Sequence, residues 1–231
     1  MTKKLYIIHG WTYTIEPWTQ TVGILQAQGY EVVQLRVPGL TAPSEKSWTV
    51  DEYVSWLREQ LQHEEHPIVL GHSNGGRIAM HYDVAYPGHL SKLILLSSAG
   101  IEVAQRRISL KRRVFRVAAK LLAPLKHVPF ASKVVYRLLG SDYGAAPPHM
   151  KVTLANMLAS DKLFDASNVT APTSILWGEA DTVTPVSMAR ALNGSIKGST
   201  MKLLPDWKHA PYITHPTELA EELVQVLEQS S

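Results

Sequence analysis

The chain alternates between short apolar runs and longer segments in which apolar residues recur every three or four positions. Six runs predict β-strands, at 5–9, 31–35, 67–71, 92–97, 173–177 and 201–205. The run LILL at 93–96 is apolar at every position, which is typical of a strand covered on both faces of a parallel sheet. Helical patterns at 49–62, 74–87 and 215–229 separate or follow these strands. The alternation predicts an α/β fold with a mostly parallel sheet of about six strands flanked by helices.

This alternation breaks between residues 101 and 161. The segment has no clear strand pattern and is punctuated by prolines and glycines, so it predicts several short helices. It is too long for a simple connection between a strand and a helix. We therefore predict a core formed by residues 1–100 and 162–231, with residues 101–161 inserted as a helical lid.

The charge of the chain is concentrated in this insertion. The formal net charge is only +3, yet the stretch from Ile101 to Arg137 holds ten Lys or Arg and a single acid, Glu102. Because the basic residues belong to one segment, we do not expect nucleic-acid binding. Three explanations for the segment remain open: a solvated face of a lid helix, which we favour, weak contact with an anionic membrane, or recognition of a substrate carboxylate or phosphate.

The composition of the chain excludes several kinds of functional site and segment. The sequence has no cysteine, which excludes disulfides, thiolate zinc sites and cysteine nucleophiles. The N-terminal run LYII is too short for the apolar core of a signal peptide, and no segment approaches the roughly 18 apolar residues of a membrane span. We expect a cytoplasmic protein. His63 and His66 stand three positions apart, but we interpret them as surface residues and predict no metal site.

The stretch Gly71-His72-Ser73-Asn74-Gly75 joins a predicted strand to a predicted helix. It matches the pattern G-x-S-x-G, in which Gly71 and Gly75 relieve crowding in a sharp turn that exposes the serine. A serine hydroxyl needs a base to accept its proton and donors to hold the oxyanion. The alternative is a structural turn that contains an incidental serine. The strand before and the helix after favour Ser73 as a nucleophile.

A candidate acid and a candidate base follow later strands. Asp181 lies just beyond the strand at 173–177, and His209 lies just beyond the strand at 201–205. Asp181 would orient the imidazole of His209, which would accept the serine proton. Alternatively, Asp181 caps the next helix and His209 is a surface residue. Glu179 and Asp206 are rival acids, but we prefer Asp181.

The oxyanion donors are expected to be backbone N–H groups. One would come from Asn74, which follows the nucleophile, and the other from Trp11, in the loop after the first strand. Gly10 would let that loop approach the serine closely. The simpler alternative is that Gly10 only ends the strand.

Together these motifs resemble the α/β-hydrolase family. The matching stretches are HGW at 9–11, GHSNGGR at 71–77, KLILLSSAG at 92–100, WGEADTVTP at 177–185 and KHAP at 208–211. The resemblance implies a triad of Ser73, Asp181 and His209 and an oxyanion hole formed by Trp11 and Asn74. It also implies a helical lid at the position of residues 101–161.

Two departures from the family pattern limit this resemblance. The first strand leads directly to HG, so the sheet is expected to lack the family's first two strands. The loop Arg36-Val37-Pro38-Gly39-Leu40-Thr41 replaces a loop of the form Asp-x-Pro-Gly-x-Gly. We therefore expect the family mechanism but do not transfer the shape of the substrate pocket.

A serine nucleophile favours transfer of an acyl group to water. The sequence accordingly predicts a serine hydrolase, most simply a carboxylesterase, that acts on a small or medium acyl substrate without a cofactor. One alternative is a hydrolase of carbon–carbon bonds in diketo acids that uses the same triad. Another is a non-catalytic member of the fold that only binds ligand.

Overall fold

The computed structural model describes residues 4–102 and 146–229, and its centre is a parallel six-stranded sheet. The strands are β1 (Lys4–Ile8), β2 (Glu31–Leu35), β3 (Ile68–His72), β4 (Lys92–Leu96), β5 (Thr173–Gly178) and β6 (Thr200–Leu204). Their order across the sheet is β2-β1-β3-β4-β5-β6, and every neighbouring pair is parallel. The predicted sheet is confirmed.

Seven α-helices accompany the sheet in the described part of the chain. They are α1 (Thr19–Ala27), α2 (Val50–Gln60), α3 (Asn74–Ala85), α4 (Pro148–Ser160), α5 (Val186–Ser195), α6 (Pro211–Thr214) and α7 (Pro216–Glu228). The three predicted helices correspond to α2, α3 and α7. At the start of α2, the Thr49 N–H donates to the Glu52 carboxylate at 2.8 Å, and the Glu52 N–H donates to the Thr49 hydroxyl at 3.3 Å. This reciprocal cap explains where α2 begins.

The core lies in two layers, one on each face of the sheet. Successive side chains of a strand point to opposite faces, so Tyr6 and Ile8 pack with α2, α3, α4 and α5, whereas Leu5 and Ile7 pack with α1, α6 and α7. All residues of β4 are buried, as its continuous apolar run predicts, whereas the edge strands β2 and β6 are partly exposed. Removal of this apolar surface from water is the main force that stabilises the sheet.

Helix α4 is the described part of the predicted insertion. It packs near the start of α2, where Thr153 Oγ1 accepts a hydrogen bond from the Trp48 N–H at 2.9 Å and the Asn156 amide donates to the Trp48 carbonyl at 3.1 Å. Residues 103–145, which hold most of the basic segment, lie outside the described residues. The lid as a domain and its membrane contact therefore stay predictions, as does the cytoplasmic location. Within residues 4–102 and 146–229, no helix combines the length and apolar character needed to cross a membrane.

Candidate active site

Ser73 occupies a sharp turn between the end of β3 and the start of α3. Its backbone has φ 52° and ψ −116°, a conformation that non-glycine residues rarely adopt. Neighbouring backbone groups fix this turn: the Ser73 N–H donates to the Leu96 carbonyl at 3.1 Å, and the Ala99 N–H donates to the Ser73 carbonyl at 2.9 Å. The strain at Ser73 is thus balanced by bonds from the end of the adjacent strand β4.

The glycines around Ser73 are required by close approach. A Cβ atom at Gly71 would lie 2.5 Å from the Cα of Gly76, and one at Gly75 would lie 2.1 Å from the carbonyl oxygen of Ile8. A Cβ at Gly10 would lie 2.9 Å from the Cβ of Ser73. These contacts support the predicted roles of Gly10, Gly71 and Gly75, since only glycine lets the β1 loop and α3 pack directly against the serine turn.

The structure brings Ser73, His209 and Asp181 into one hydrogen-bonded chain. His209 Nδ1 is 2.8 Å from Asp181 Oδ2, and His209 Nε2 is 3.0 Å from Ser73 Oγ. Because an ionised carboxylate can only accept, the His209 Nδ1–H donates to Asp181, and Nε2 is left to accept from the Ser73 hydroxyl. The imidazole is therefore held in the tautomer that a general base for Ser73 requires.

The carboxylate of Asp181 is buried and fully supported by donors. Oδ1 accepts from the N–H groups of Val183 at 2.7 Å and Thr184 at 2.9 Å, and Oδ2 accepts from the Thr184 hydroxyl at 2.8 Å. Burial would raise the pKa of Asp181, but the hydrogen bond and charge of His209 and the bonds from Thr184 outweigh it, and the pKa is lowered. Asp181 does not cap α5, whose N-cap is Pro185; it closes the turn before that helix, while Oδ2 faces His209. The rival acids Glu179 and Asp206 are exposed.

The loop that carries His209 is held by a histidine to which sequence reasoning gave no bonding role. The His72 Nε2–H donates to the backbone carbonyl of His209 at 2.8 Å. Burial, together with the nearby charge of His209, lowers the pKa of His72 to about 3, so its ring is neutral near pH 7. The position of His72 beside Ser73 was evident in the sequence, but its bond to residue 209 depends on the fold and has no local signal.

A second buried histidine shapes the loop after β1. The His9 Nδ1–H donates to the Gly10 carbonyl at 2.7 Å, and His9 Nε2 accepts from the Thr41 hydroxyl at 2.6 Å. Because the Gly10–Trp11 peptide is trans, its N–H points away from the carbonyl that His9 binds. The role of the Trp11 N–H as an oxyanion donor stays a prediction. Thr41, which sequence reasoning did not identify, belongs to the loop that departs from the family pattern.

The structure gives no support to a metal site at His63 and His66. Both side chains are exposed, and Glu64 between them accepts hydrogen bonds from Lys4 at 2.9 Å and Tyr6 at 2.5 Å. Residues 4–102 and 146–229 contain no group of three His, Cys, Asp or Glu side chains placed to hold a metal ion.

Comparisons with known proteins agree with the fold. A family model described as "Alpha/beta hydrolase family" matches residues 5–222. A pimeloyl-[acyl-carrier protein] methyl ester esterase of Vibrio vulnificus (strain YJ016) is 25% identical over an alignment of 238 residues. The alignment covers 95% of this chain and 92% of the relative. A Vibrio parahaemolyticus protein of the same name is 27% identical over 237 residues, covering 95% of this chain and 92% of the relative.

A solved structure has the same fold. It is an alpha/beta hydrolase enzyme from the metagenome of sediments from the lagoon of Mar Chica, Morocco. It superimposes with a TM-score of 0.71 and 20% sequence identity, and the match covers 99% of this chain and 91% of that chain. The architecture of the sheet and its helices is thus shared across nearly the whole length of both proteins.

Proposed function

The chain belongs to the alpha/beta hydrolase family, and on that premise we propose that it is a serine esterase that works through an acyl-enzyme on Ser73. The observation that carries this proposal is the bridging position of His209, 2.8 Å from Asp181 and 3.0 Å from Ser73. A strained serine, a correctly oriented imidazole and a buried carboxylate have little structural use unless the serine is activated. This argues against the purely ligand-binding alternative.

The first half of the reaction forms the acyl-enzyme. Ser73 Oγ attacks the carbonyl carbon of the ester while its proton moves to His209 Nε2, and the carbonyl oxygen becomes an oxyanion. The N–H groups of Trp11 and Asn74 would donate to that oxyanion, and the N-terminus of α3 adds favourable potential there. The oxyanion then collapses, the bond to the alcohol breaks, and the alcohol leaves with the proton from His209.

The second half regenerates the enzyme. Water loses a proton to His209 Nε2 and attacks the acyl carbon, giving a second tetrahedral intermediate. Its collapse releases the carboxylic acid, and His209 returns the proton to Ser73 Oγ. Asp181 stays ionised throughout, because its four donors include the His209 N–H, and it stabilises the imidazolium that forms in each half.

We infer that the substrate is the methyl ester of an acyl chain carried by an acyl carrier protein. The support is the relatives named pimeloyl-[acyl-carrier protein] methyl ester esterase, with which this chain aligns over almost its full length. At an identity of about a quarter, the length of the acyl chain is left open. The geometry at Ser73 supports acyl transfer, whereas the ester and its carrier are supported by the names of the relatives.

The test compares four substrates with purified protein and with Ser73→Ala. These are the methyl ester of pimeloyl-acyl carrier protein, the free monomethyl ester of pimelic acid, p-nitrophenyl butanoate and a vinylogous diketo acid. We expect the three esters to be hydrolysed by the wild type alone, with the carrier-bound methyl ester preferred over the free one in kcat/KM. Cleavage of the diketo acid without ester hydrolysis would replace the proposal by the carbon–carbon alternative. Equal kcat/KM for the free and the carrier-bound methyl ester would show that the enzyme does not recognise the carrier protein.

A further inference from the structure

We propose that Arg77 and Asp161 are positioning residues that hold Asn74 in place during the reaction at Ser73. This inference rests on the proposed function, because it concerns the residue whose backbone N–H would bind the oxyanion. Neither Arg77 nor Asp161 touches the reacting atoms. Their effect would be transmitted through the side chain of Asn74.

The guanidinium of Arg77 joins two elements beneath the serine turn. Its Nε–H donates to Asp161 Oδ1 at 2.6 Å, and its Nη2 donates to Asp161 Oδ2 at 2.8 Å. Its remaining Nη1 donates to Asn74 Oδ1. The Arg77 side chain is only 3% exposed and the Asp161 side chain only 14% exposed, so water contributes little to this arrangement. Arg77 thereby ties the residue after the nucleophile to the end of α4.

Arg77 also determines how the Asn74 amide is turned. A guanidinium can only donate, so the Asn74 atom beside it must be the carbonyl oxygen. The Asn74 amide nitrogen is then directed elsewhere, and it is buried without a hydrogen-bond partner among the described residues. The bond from Arg77 is therefore the contact that fixes this side chain. Without this bond, the Asn74 side chain would lose its fixed orientation, and its carbonyl oxygen would be buried without the hydrogen bond that offsets the cost of burial.

The location of the pair favours an effect on catalysis through position rather than through net charge. Asn74 is the first residue of α3, and Arg77 follows it by about one helical turn. Gly100, with φ +117°, packs so closely that a Cβ there would lie 3.0 Å from Arg77 Cα, which limits movement of the helix start. Because Asp161 neutralises the guanidinium, Arg77 acts mainly by its position. A small displacement of an oxyanion donor can lower the rate about a hundredfold.

The primary variant is Asp161→Asn, which keeps the shape of the side chain and removes its charge; Arg77→Lys is the second. kcat and KM for p-nitrophenyl butanoate are measured well below the melting temperature of each protein. We expect kcat to fall about tenfold, with KM changed less than about twofold. When either change is combined with Asn74→Ala, the loss in log kcat should be smaller than the sum of the two separate losses. Both substitutions of such a pair act through the side chain of Asn74.

Glu222→Gln is the matched control, because it breaks another partly buried ion pair, with Lys202 at 2.6 Å, away from the serine turn. It should lower the melting temperature and leave kcat unchanged. If Asp161→Asn and Arg77→Lys behave like Glu222→Gln, the pair is only structural and the inference is wrong. In that case Ser73→Ala would still be inactive, and the proposed function would stand. An active Ser73→Ala would overturn both.

Discussion

The turn around Ser73 and the two loops that present Asp181 and His209 meet at one edge of the sheet, but their side chains are positioned in different ways. At the turn the backbone itself presents the serine, and Gly71 and Gly75 leave no room for a Cβ atom. The two loops also pack backbone on backbone, at Gly178, but buried polar atoms position their side chains, through the donors to Asp181 and the bond from His72 to the His209 carbonyl.

This difference predicts two kinds of failure. A change that adds volume at the turn should lower the free energy of unfolding, since packed backbone cannot move aside cheaply. A change that removes a donor or acceptor from the loops should leave the fold intact and misplace the base. Stability measurements therefore probe the backbone packing, whereas rate measurements on folded protein probe the hydrogen bonds that position side chains.

The largest effect is expected from the base itself. His209→Gln should lower kcat on the order of 10⁶-fold, because no other group accepts the serine proton. Asp181→Asn should lower it about 10⁴-fold, since an amide NH2 beside Nδ1 favours the wrong imidazole tautomer. Steady-state rates on p-nitrophenyl butanoate measure both. Circular dichroism should show both proteins folded, and near-normal rates in either would contradict the assignment of the triad.

Gly75→Ala tests the packed turn. The added Cβ would lie 2.1 Å from the Ile8 carbonyl oxygen, so we expect a loss of about 3 kcal/mol or more in the free energy of unfolding. Gly23→Ala is the matched control, because Gly23 lies within α1 and a Cβ added there would meet no atom within 4 Å. That change should stabilise the protein by about 0.5–1 kcal/mol. Urea unfolding measures both, and equal stability of the two variants would contradict the packing argument.

His72 tests the polar support of the histidine loop. His72→Phe removes the donor to the His209 carbonyl and should lower kcat about tenfold, the effect of a misplaced base. His72→Gln restores an N–H of similar reach and should recover part of the rate. Wild-type rates in His72→Phe would show that the 2.8 Å bond has no role in placing the base.

The pH dependence of stability is a further test of His72. Burial lowers the pKa of His72 to about 3, so between about pH 6.5 and pH 3 the unfolded chain binds a proton that the folded chain does not. Stability should therefore fall as the pH falls through this window, by up to about 1.4 kcal/mol per pH unit. His72→Gln should reduce that slope in denaturant unfolding from pH 7 to pH 4. An unchanged slope would mean that His72 is not held neutral.

The features that sequence reasoning predicted are those with a local signal. The strand runs, the helical patterns and the glycines around Ser73 each involve residues close together in the chain. Asp181 and His209 could be predicted because parallel strands place their carboxyl ends at one edge, so residues that follow different strands meet there.

The features that it missed join distant segments through buried polar atoms. The bond of His72 to residue 209 spans 137 positions, and the bond of Arg77 to Asp161 spans 84. The pairing of His9 with Thr41 depends on the path of the 36–41 loop. The sequence around a lone histidine or arginine looks the same whether the side chain is exposed or bonded in a buried network. Only the fold distinguishes an exposed residue from a buried one.

The most direct test of the account is mass spectrometry of the intact protein after treatment with a fluorophosphonate, with Ser73→Ala alongside. Such a reagent reacts with a serine that has been activated by a base. We expect one added label on the wild type, none on Ser73→Ala, and much slower labelling of His209→Gln. Equal labelling of wild type and Ser73→Ala, or none on a well-folded wild type, would contradict the claim that His209 and Asp181 activate Ser73.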